Sequence, residues 1–268
     1  MVNPIQYERA AIAWPVLTEA AAAESTITYA ALARHLGIHP RPIRFVLGVI
    51  QDYCLREKLP PLTILVVNQR GVPGEGFIAW DIDDLPTGYR RVYAEPWDEY
   101  PNPFGFAKTG TTLEELAQRL VTKPEESKAV YGLIKNRGIA QDVFRRALLL
   151  AYRHSCAFCG LSLQAALEAA HIIRWSEATI EQRLDPSNGL LLCATHHALF
   201  DAHVLTVTVD RKIAFRPPRR ASHSWTDADQ SAAISLNGRS LQMPLDPRLQ
   251  ASDEALQYRA RKLPEPAS

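Results

Sequence analysis

Apolar positions recur with helical spacing through much of the first third of this chain, and breaker residues punctuate them. Residues 5–23 are Ala-rich and predict a helix. Ser25-Thr-Ile-Thr28 supplies a helix start, and Tyr29–Leu36 follows with Leu32 and Leu36 one turn apart before Gly37 closes it. Beyond Pro40 and Pro42 a second helix is expected over 43–58. Pro60-Pro61 breaks the chain, and Leu62-Thr-Ile-Leu-Val-Val67 reads as a β-branched strand. Asn68–Gly76 carries turn residues, and Phe77-Ile-Ala-Trp80 predicts a returning strand. Helix, helix and a two-stranded wing is the order of a winged helix-turn-helix.

The pattern changes over 81–110, where Asp81, Asp83 and Asp84 precede Pro86, Pro96, Pro101 and Pro103. Such a stretch reads as a linker or an irregular excursion, with a domain boundary near its end. Thr111–Leu120 is an amphipathic helix capped by Thr111 or Thr112. Helical spacing resumes from Pro124 and again across Gln141–Tyr152, Val204–Val209 predicts a strand, and the tail after Leu263 is expected to fray. The expected fold is α+β. It comprises a winged-helix-like domain over 1–105, a helical linker over 106–136, a second domain over 137–250 and a tail over 251–268.

Length and composition narrow the class. A chain of 268 residues has room for two small cores, and its hydrophobic and charged fractions are ordinary for a globular protein. No apolar run approaches the roughly 20 residues that span a bilayer, and the N-terminus lacks the features of a secretory signal. A cytoplasmic address without a membrane partner is expected. Net charge is only +1, but the cations are clustered. Arg211, Lys212, Arg216, Arg219 and Arg220 crowd one ten-residue stretch without an acid, and Lys135, Arg137, Arg145, Arg146 and Arg153 form a second basic run. Either could neutralise phosphates or be a solvated face. Arg41 and Arg44 sit where the second helix begins.

Three of the four cysteines fall beside histidines; Cys54 stands apart and reads as a small buried residue. Cys156-x-x-Cys159 and Cys193-x-x-His196 supply four ligands in two half-sites. Two residues of separation let a tight turn aim both side chains at one ion, and Gly160 suits that turn. A structural zinc that staples a small module is the expectation. His197 and Asp201 lie four residues apart, so they share one helical face and could hold a second divalent cation, Mg²⁺ or Mn²⁺. His196 and His197 are adjacent, about 100° apart around a helix, and would serve different ions. His203 is a further candidate ligand.

His171, Asn188 and His197, in this order and interleaved with the half-sites, resemble an HNH (ββα-metal) nuclease. Gln141-x-x-Phe144-Arg145, Leu148-Leu149, Tyr152, Cys156, Leu167-Glu-Ala-Ala-His-Ile172, Asn188-Gly-Leu-Leu-Leu-Cys193 and His197-Ala-Leu-Phe-Asp201 resemble the bacterial restriction-type subgroup of that family across 137–250. The resemblance implies that His171 lies on a strand as general base and that the product carries a 5′ phosphate. Asn188 would either pin the loop that orients the base or approach the metal. One departure stands out: many such sites place a ligating Asp or His before the base, and here that residue is Ala170. Glu168, or water, would have to fill the position.

Thr28-Tyr-Ala-Ala-Leu-Ala33, Arg44-x-Val46-x-Gly48, Pro60-Pro61 and Gly71-Val-Pro-Gly74 resemble the DNA-binding domain of alkylguanine-DNA alkyltransferase-like proteins. The Pro-Cys-His-Arg acceptor of that family is replaced by Pro61-Leu-Thr-Ile64, so alkyl transfer is not expected. Together the two resemblances imply a metal-dependent endodeoxyribonuclease acting on double-stranded DNA. Arg41, Arg44, Arg145, Arg146, Arg216, Arg219 and Arg220 are the candidate DNA contacts. A restriction or phage-defence role, including one directed at modified bases, would suit this build. With one site per chain, a homodimer is a simple route to a double-strand cut. The competing reading is a zinc-stabilised DNA-binding regulator that has lost catalysis, for which Ala170 is the support.

Overall fold

The computed structural model describes residues 5–134, 136–217 and 224–263. It divides into two compact units, Met1–Thr112 with Leu133–Ile139, and Leu113–Gly132 with Ala140–Ser268. The segment expected to link the domains over 106–136 is thus shared between them. Residues 264–268, the expected frayed end, lie outside the described residues.

In the first unit, helix α1 (Ile5–Ala22) buries Trp14 at the hub of an aromatic cluster. Tyr53, Trp97 and Phe104 meet its ring at centroid separations of 5.3, 5.8 and 5.9 Å, all edge-on. Strand β1 (Ile27–Thr28) leads into α2 (Tyr29–His35), whose first turn is capped by the Thr28 hydroxyl accepting from the Ala31 amide at 3.1 Å. Helix α3 (Ile43–Arg56) buries Ile43, Val46, Leu47, Ile50, Tyr53 and Cys54, the inward stripe that its spacing predicts.

The wing takes a different form. Leu62–Leu65 is a 3-10 turn, and only Val66–Val67 forms a strand, β2, parallel to β1. The cause is Pro60-Pro61, whose carbonyls accept from the Leu62 and Ile64 amides (both 2.8 Å), while the four side chains of the turn are buried on every side. Asn68–Val72 is a tight turn closed by the bridge Val67–Pro73. Phe77–Trp80 is not a strand: Phe77, Ala79 and Trp80 are half-buried, while Ile78 is 78% exposed.

Of the two readings of 81–110, the structure describes the irregular excursion, which belongs to the first unit. Pro86 opens helix α4 (Leu85–Ala94), where its missing N–H costs nothing. Trp97, Phe104 and Phe106 enter the core, and the Asn102 amide donates to the Ala11 carbonyl at 2.7 Å. The aromatic residues outweigh the prolines around them.

The chain passes between the units within helices that follow α5 (Leu113–Thr122), namely α6 (Ser127–Ile134) and α7 (Arg137–Ala151). The second unit then lays strand β3 (Leu167–His171) antiparallel to β4 (Gly189–Cys193), followed directly by α8 (Ala194–Asp201). A hairpin of β5 (Leu205–Val207) and β6 (Ile213–Phe215) comes next, then α9 (Asp227–Ala232) and α10 (Asp253–Lys262). Helix α10 is structural rather than a tail: Ser252 caps it, and Ala255, Leu256 and Arg259 are buried. Among the described residues no helix is long and apolar enough to cross a membrane.

Gly189 pairs with His171 where β4 passes under α7. A Cβ there would lie 2.5 Å from Phe144 Cζ and 2.8 Å from Leu148 Cδ1, inside contact distance of two buried side chains. Gly189→Ala is expected to cost about 1–3 kcal/mol through this overpacking. An unchanged denaturation midpoint would show that β4 shifts freely instead.

Candidate metal centre and active site

Two ends of β4 position two clusters. Its C-terminal end gives the knuckle Cys193-x-x-His196, because Cys193 closes the strand and caps α8 while His196 lies in the first turn. The other knuckle is fastened to the same strand by the Ala157 amide donating to the Leu191 carbonyl at 2.7 Å. Gly160, at φ +78°, turns the chain back so that its amide reaches the Cys156 carbonyl at 2.9 Å. The ligand atoms of Cys156, Cys159, Cys193 and His196 all lie within 4.8 Å of one another. His196 Nε2 faces the Ala232 carbonyl at 3.0 Å; a carbonyl only accepts, so this nitrogen carries the proton. Nδ1 is thereby aimed at the sulfurs of Cys156 (3.4 Å) and Cys193 (3.2 Å). An outer carbonyl that orients a ligating imidazole is the usual support of a metal site.

The donors also repel one another in the way a cation relieves. Burial opposes ionisation of Cys156, yet its contacts with His196 and with backbone groups of Cys159, Cys193 and Phe158 outweigh it and bring the thiol down to about 6. Burial pushes Cys159 up to about 12, helped by the charge of Cys156, and Cys193 is raised for the same reasons. One thiolate forms readily and suppresses the others. Three sulfurs and one imidazole nitrogen are the donor set of a structural zinc site.

The second cluster gathers at the opposite end of the hairpin and on α8. His171 Nε2 faces the Arg183 carbonyl at 3.0 Å and must donate to it, which places the neutral ring's lone pair on Nδ1. The ring stacks on Phe144 with centroids 4.1 Å apart and meets Trp175 edge-on at 5.7 Å. Asn188 is buried; its Oδ1 accepts from the Ile173 amide (2.8 Å), and its Nδ2 donates to the carbonyls of Ile173 (3.2 Å) and Gln182 (3.1 Å). Every polar atom of that amide is spent on the 173–182 loop, including the peptide that precedes the Arg183 carbonyl.

His197 lies between two carboxylates. Its Nδ1 is 2.5 Å from Glu168 Oε2, and its Nε2 is 3.5 Å from Asp201 Oδ2. The nitrogens of an imidazole point apart, so one ion can take only one of them. A carboxylate at the other then orients the ring. Ala170 is fully buried opposite Leu190, whereas Glu168 is half exposed, so the carboxylate on the strand side comes from position 168. Among the described residues only the Cys/His group brings three or more donor atoms this close together. An imidazole nitrogen with one carboxylate leaves most of a coordination shell open.

The cations foreseen as DNA contacts are placed unevenly. Arg41 and Arg44 are exposed at the start of α3, with the Arg44 guanidinium 4.7 Å from the Phe45 ring centre. Arg145 is used internally, donating to the carbonyls of Leu167 (3.0 and 2.8 Å) and Gln164 (3.0 Å) where β3 begins. Arg146 pairs with Glu114. Arg216 is half-buried, its amide donating to the Val204 carbonyl at 2.8 Å. Arg219 and Arg220 lie outside the described residues, as does Lys135. Sequence reasoning missed the carbonyls of Arg183 and Ala232, which carry no signal in residue identity, and it passed over Arg174, Arg259 and Lys262.

Comparison with known proteins agrees with the geometry. Residues 156–208 match the family model described as HNH endonuclease, which spans both knuckles, β3, β4 and α8. No curated protein matches the chain. Among solved structures, the modification-dependent TagI restriction endonuclease is 23% identical, with a TM-score of 0.30. That alignment covers 46% of this chain and 38% of the other, so this chain spans well under half of that protein's length. Residues 156–208 of the second unit thus carry an HNH endonuclease domain.

Proposed function

We propose that the protein is a metal-dependent endodeoxyribonuclease of the restriction or phage-defence kind, with the second unit cutting duplex DNA and the first docking on it. The observation that carries this is His171. It is held by the Arg183 carbonyl so that Nδ1 bears the lone pair, in the unit that also sets Glu168 against His197. His171 Nδ1 accepts the proton of the water that attacks phosphorus, while Asn188 keeps the loop behind it from moving. Glu168 and His197 hold the divalent ion, and Asp201 steadies the ring from the other nitrogen. When bound, that Mg²⁺ or Mn²⁺ supplies positive charge to the phosphate and to the departing 3′ oxygen. Zinc at Cys156, Cys159, Cys193 and His196 fixes the frame. Support for docking by the first unit is the exposed pair Arg41 and Arg44 at the head of α3, beside Phe45, itself 53% exposed. A preference for modified bases rests on the resemblance in sequence alone.

A catalytically silent DNA-binding regulator is the second reading, and Ala170 is the observation in its favour. Incubation with supercoiled plasmid, modified and unmodified, separates the two. The nuclease reading expects nicked or linear product with added Mg²⁺ or Mn²⁺ and none without. Tight DNA binding with no metal-dependent product on either plasmid would leave the regulator.

A further inference from the structure

A cavity of about 130 Å³ opens in the second unit beside the cluster just described. Arg174, Arg259 and Lys262 line it together with His203, Glu177 and Tyr258. Its remaining wall is Ile172, the residue after His171, and His203 follows Asp201 by two positions. We propose that this pocket binds one backbone phosphate of the DNA strand that the HNH site cuts, and so sets the position of that strand over His171. The proposal rests on the nuclease reading for its ligand, but not for its geometry.

Charge is the first argument. Three permanent cations face a single acid on the pocket wall, and that acid, Glu177, is already engaged by Lys262 at 3.5 Å. Like charges are held together here at a cost. Burial lowers Arg259 to about 10, and the proximity of Arg174 adds to this against the opposing pull of Asp201. An oxyanion removes this repulsion.

Hydrogen bonding is the second. Arg259 is only 3% exposed, packs its guanidinium 3.4 Å from the centre of the Phe200 ring and donates from Nη2 to the Phe200 carbonyl. Its buried Nε has no protein partner. Arg259 Nη2 lies 3.4 Å from His203 Nδ1, and Arg174 Nη2 lies 3.5 Å from His203 Nε2. A neutral imidazole has one acceptor nitrogen, so it cannot satisfy both guanidiniums. Donors of a buried cation left short of acceptors are costly without an anion. The cavity has room for several waters, and hence for a phosphate. No other acidic side chain on its wall supplies the deficit.

The test reads phosphate contacts without turnover. Binding of a short fluorescent duplex is measured in buffer without added Mg²⁺ or Mn²⁺, at salt from about 50 to 200 mM, where the slope of log K against log salt is about −0.9 per neutralised phosphate. Arg174→Gln and Lys262→Gln are at exposed positions, and circular dichroism melts confirm that they fold. Each is expected to bind several-fold more weakly on every duplex. The double variant is expected to lose about one phosphate's worth of slope, not two, because both side chains serve the same group. His171→Ala, in parallel, keeps the full slope. Wild-type slope in the double variant, or no measurable duplex binding by the wild type at the lowest salt, overturns the proposal. A reduced slope in a protein whose wild type cuts no plasmid upholds the pocket while defeating the nuclease reading. Plasmid cutting with an unreduced slope does the reverse.

Discussion

His171→Ala is expected to lower the rate of metal-dependent plasmid cleavage by about 10²- to 10⁴-fold, the usual worth of a positioned general base. The loss belongs in kcat, because the imidazole acts on the attacking water and contributes little to holding the duplex. Three contacts explain why the ring is worth that much. The Arg183 carbonyl selects the tautomer, Phe144 stacks beneath the ring, and Trp175 closes its edge. Arg183 is itself restrained at its other end, where Nη1 donates to the Tyr131 hydroxyl at 3.0 Å and the guanidinium sits 5.3 Å from the Trp175 ring centre. A base so held needs no reorganisation before it accepts a proton. Zinc content, duplex affinity and its salt slope are expected to match the wild type, which separates a chemical defect from a folding one. Cleavage within a few-fold of wild type would remove His171 from the reaction, and the mechanism proposed here with it.

How much of this was legible in the sequence varies by physical cause. The two knuckles and the His–Asn–His order could be read because their chemistry demands particular residue types at particular separations, and tertiary packing has little say in either. Glu168 was legible as a substitute only through the alternation of a strand; its approach to His197 depends on where α8 docks, which no local pattern encodes. The carbonyls of Arg183 and Ala232 were invisible, since any residue would supply them. Basic runs misled in a different way. Arg145 and Arg146 look like phosphate contacts in one dimension but meet Leu167, Gln164 and Glu114 in three, whereas Arg174, Arg259 and Lys262 are scattered along the chain and converge on one cavity. In the first unit, proline density left 81–110 as a linker or an irregular excursion, and the burial of Trp97 and Phe104 makes it an excursion that belongs to the core. Of the strand expected over 62–67, residues 62–65 form a 3-10 turn and only 66–67 a strand, because burial on all sides rewards apolar residues without requiring a pleat.

Replacing Cys156 with Ser is expected to abolish bound zinc, which metal analysis of the wild type should find at about one ion per chain, and to collapse the cooperative melt of the second unit. The frame around His171 has little else to hold it: β3 and β4 have five residues each and α8 has eight. Both knuckles converge on β4, one through the Ala157 amide on Leu191 and one through Cys193 itself, so a metal held by them would tie the loop after α7 to the strand and the helix together. Binding energies of structural zinc, about 10–16 kcal/mol at neutral pH in small modules, rival the whole stability of a domain, about 5–15 kcal/mol. Serine keeps the size of the side chain but offers a poor ligand, so the loss measures coordination rather than packing. The sign of the pH dependence follows from the thiols. Cys159, pushed up to about 12, and Cys193, also raised, must release protons to ligate, so zinc affinity rises with pH and acid expels the ion. Cleavage is expected to disappear with the zinc even when Mg²⁺ is plentiful, because the strands that carry Glu168 and His171 lose their anchor. A Cys156→Ser protein that kept full zinc and a wild-type melt would show that these four side chains form no metal site.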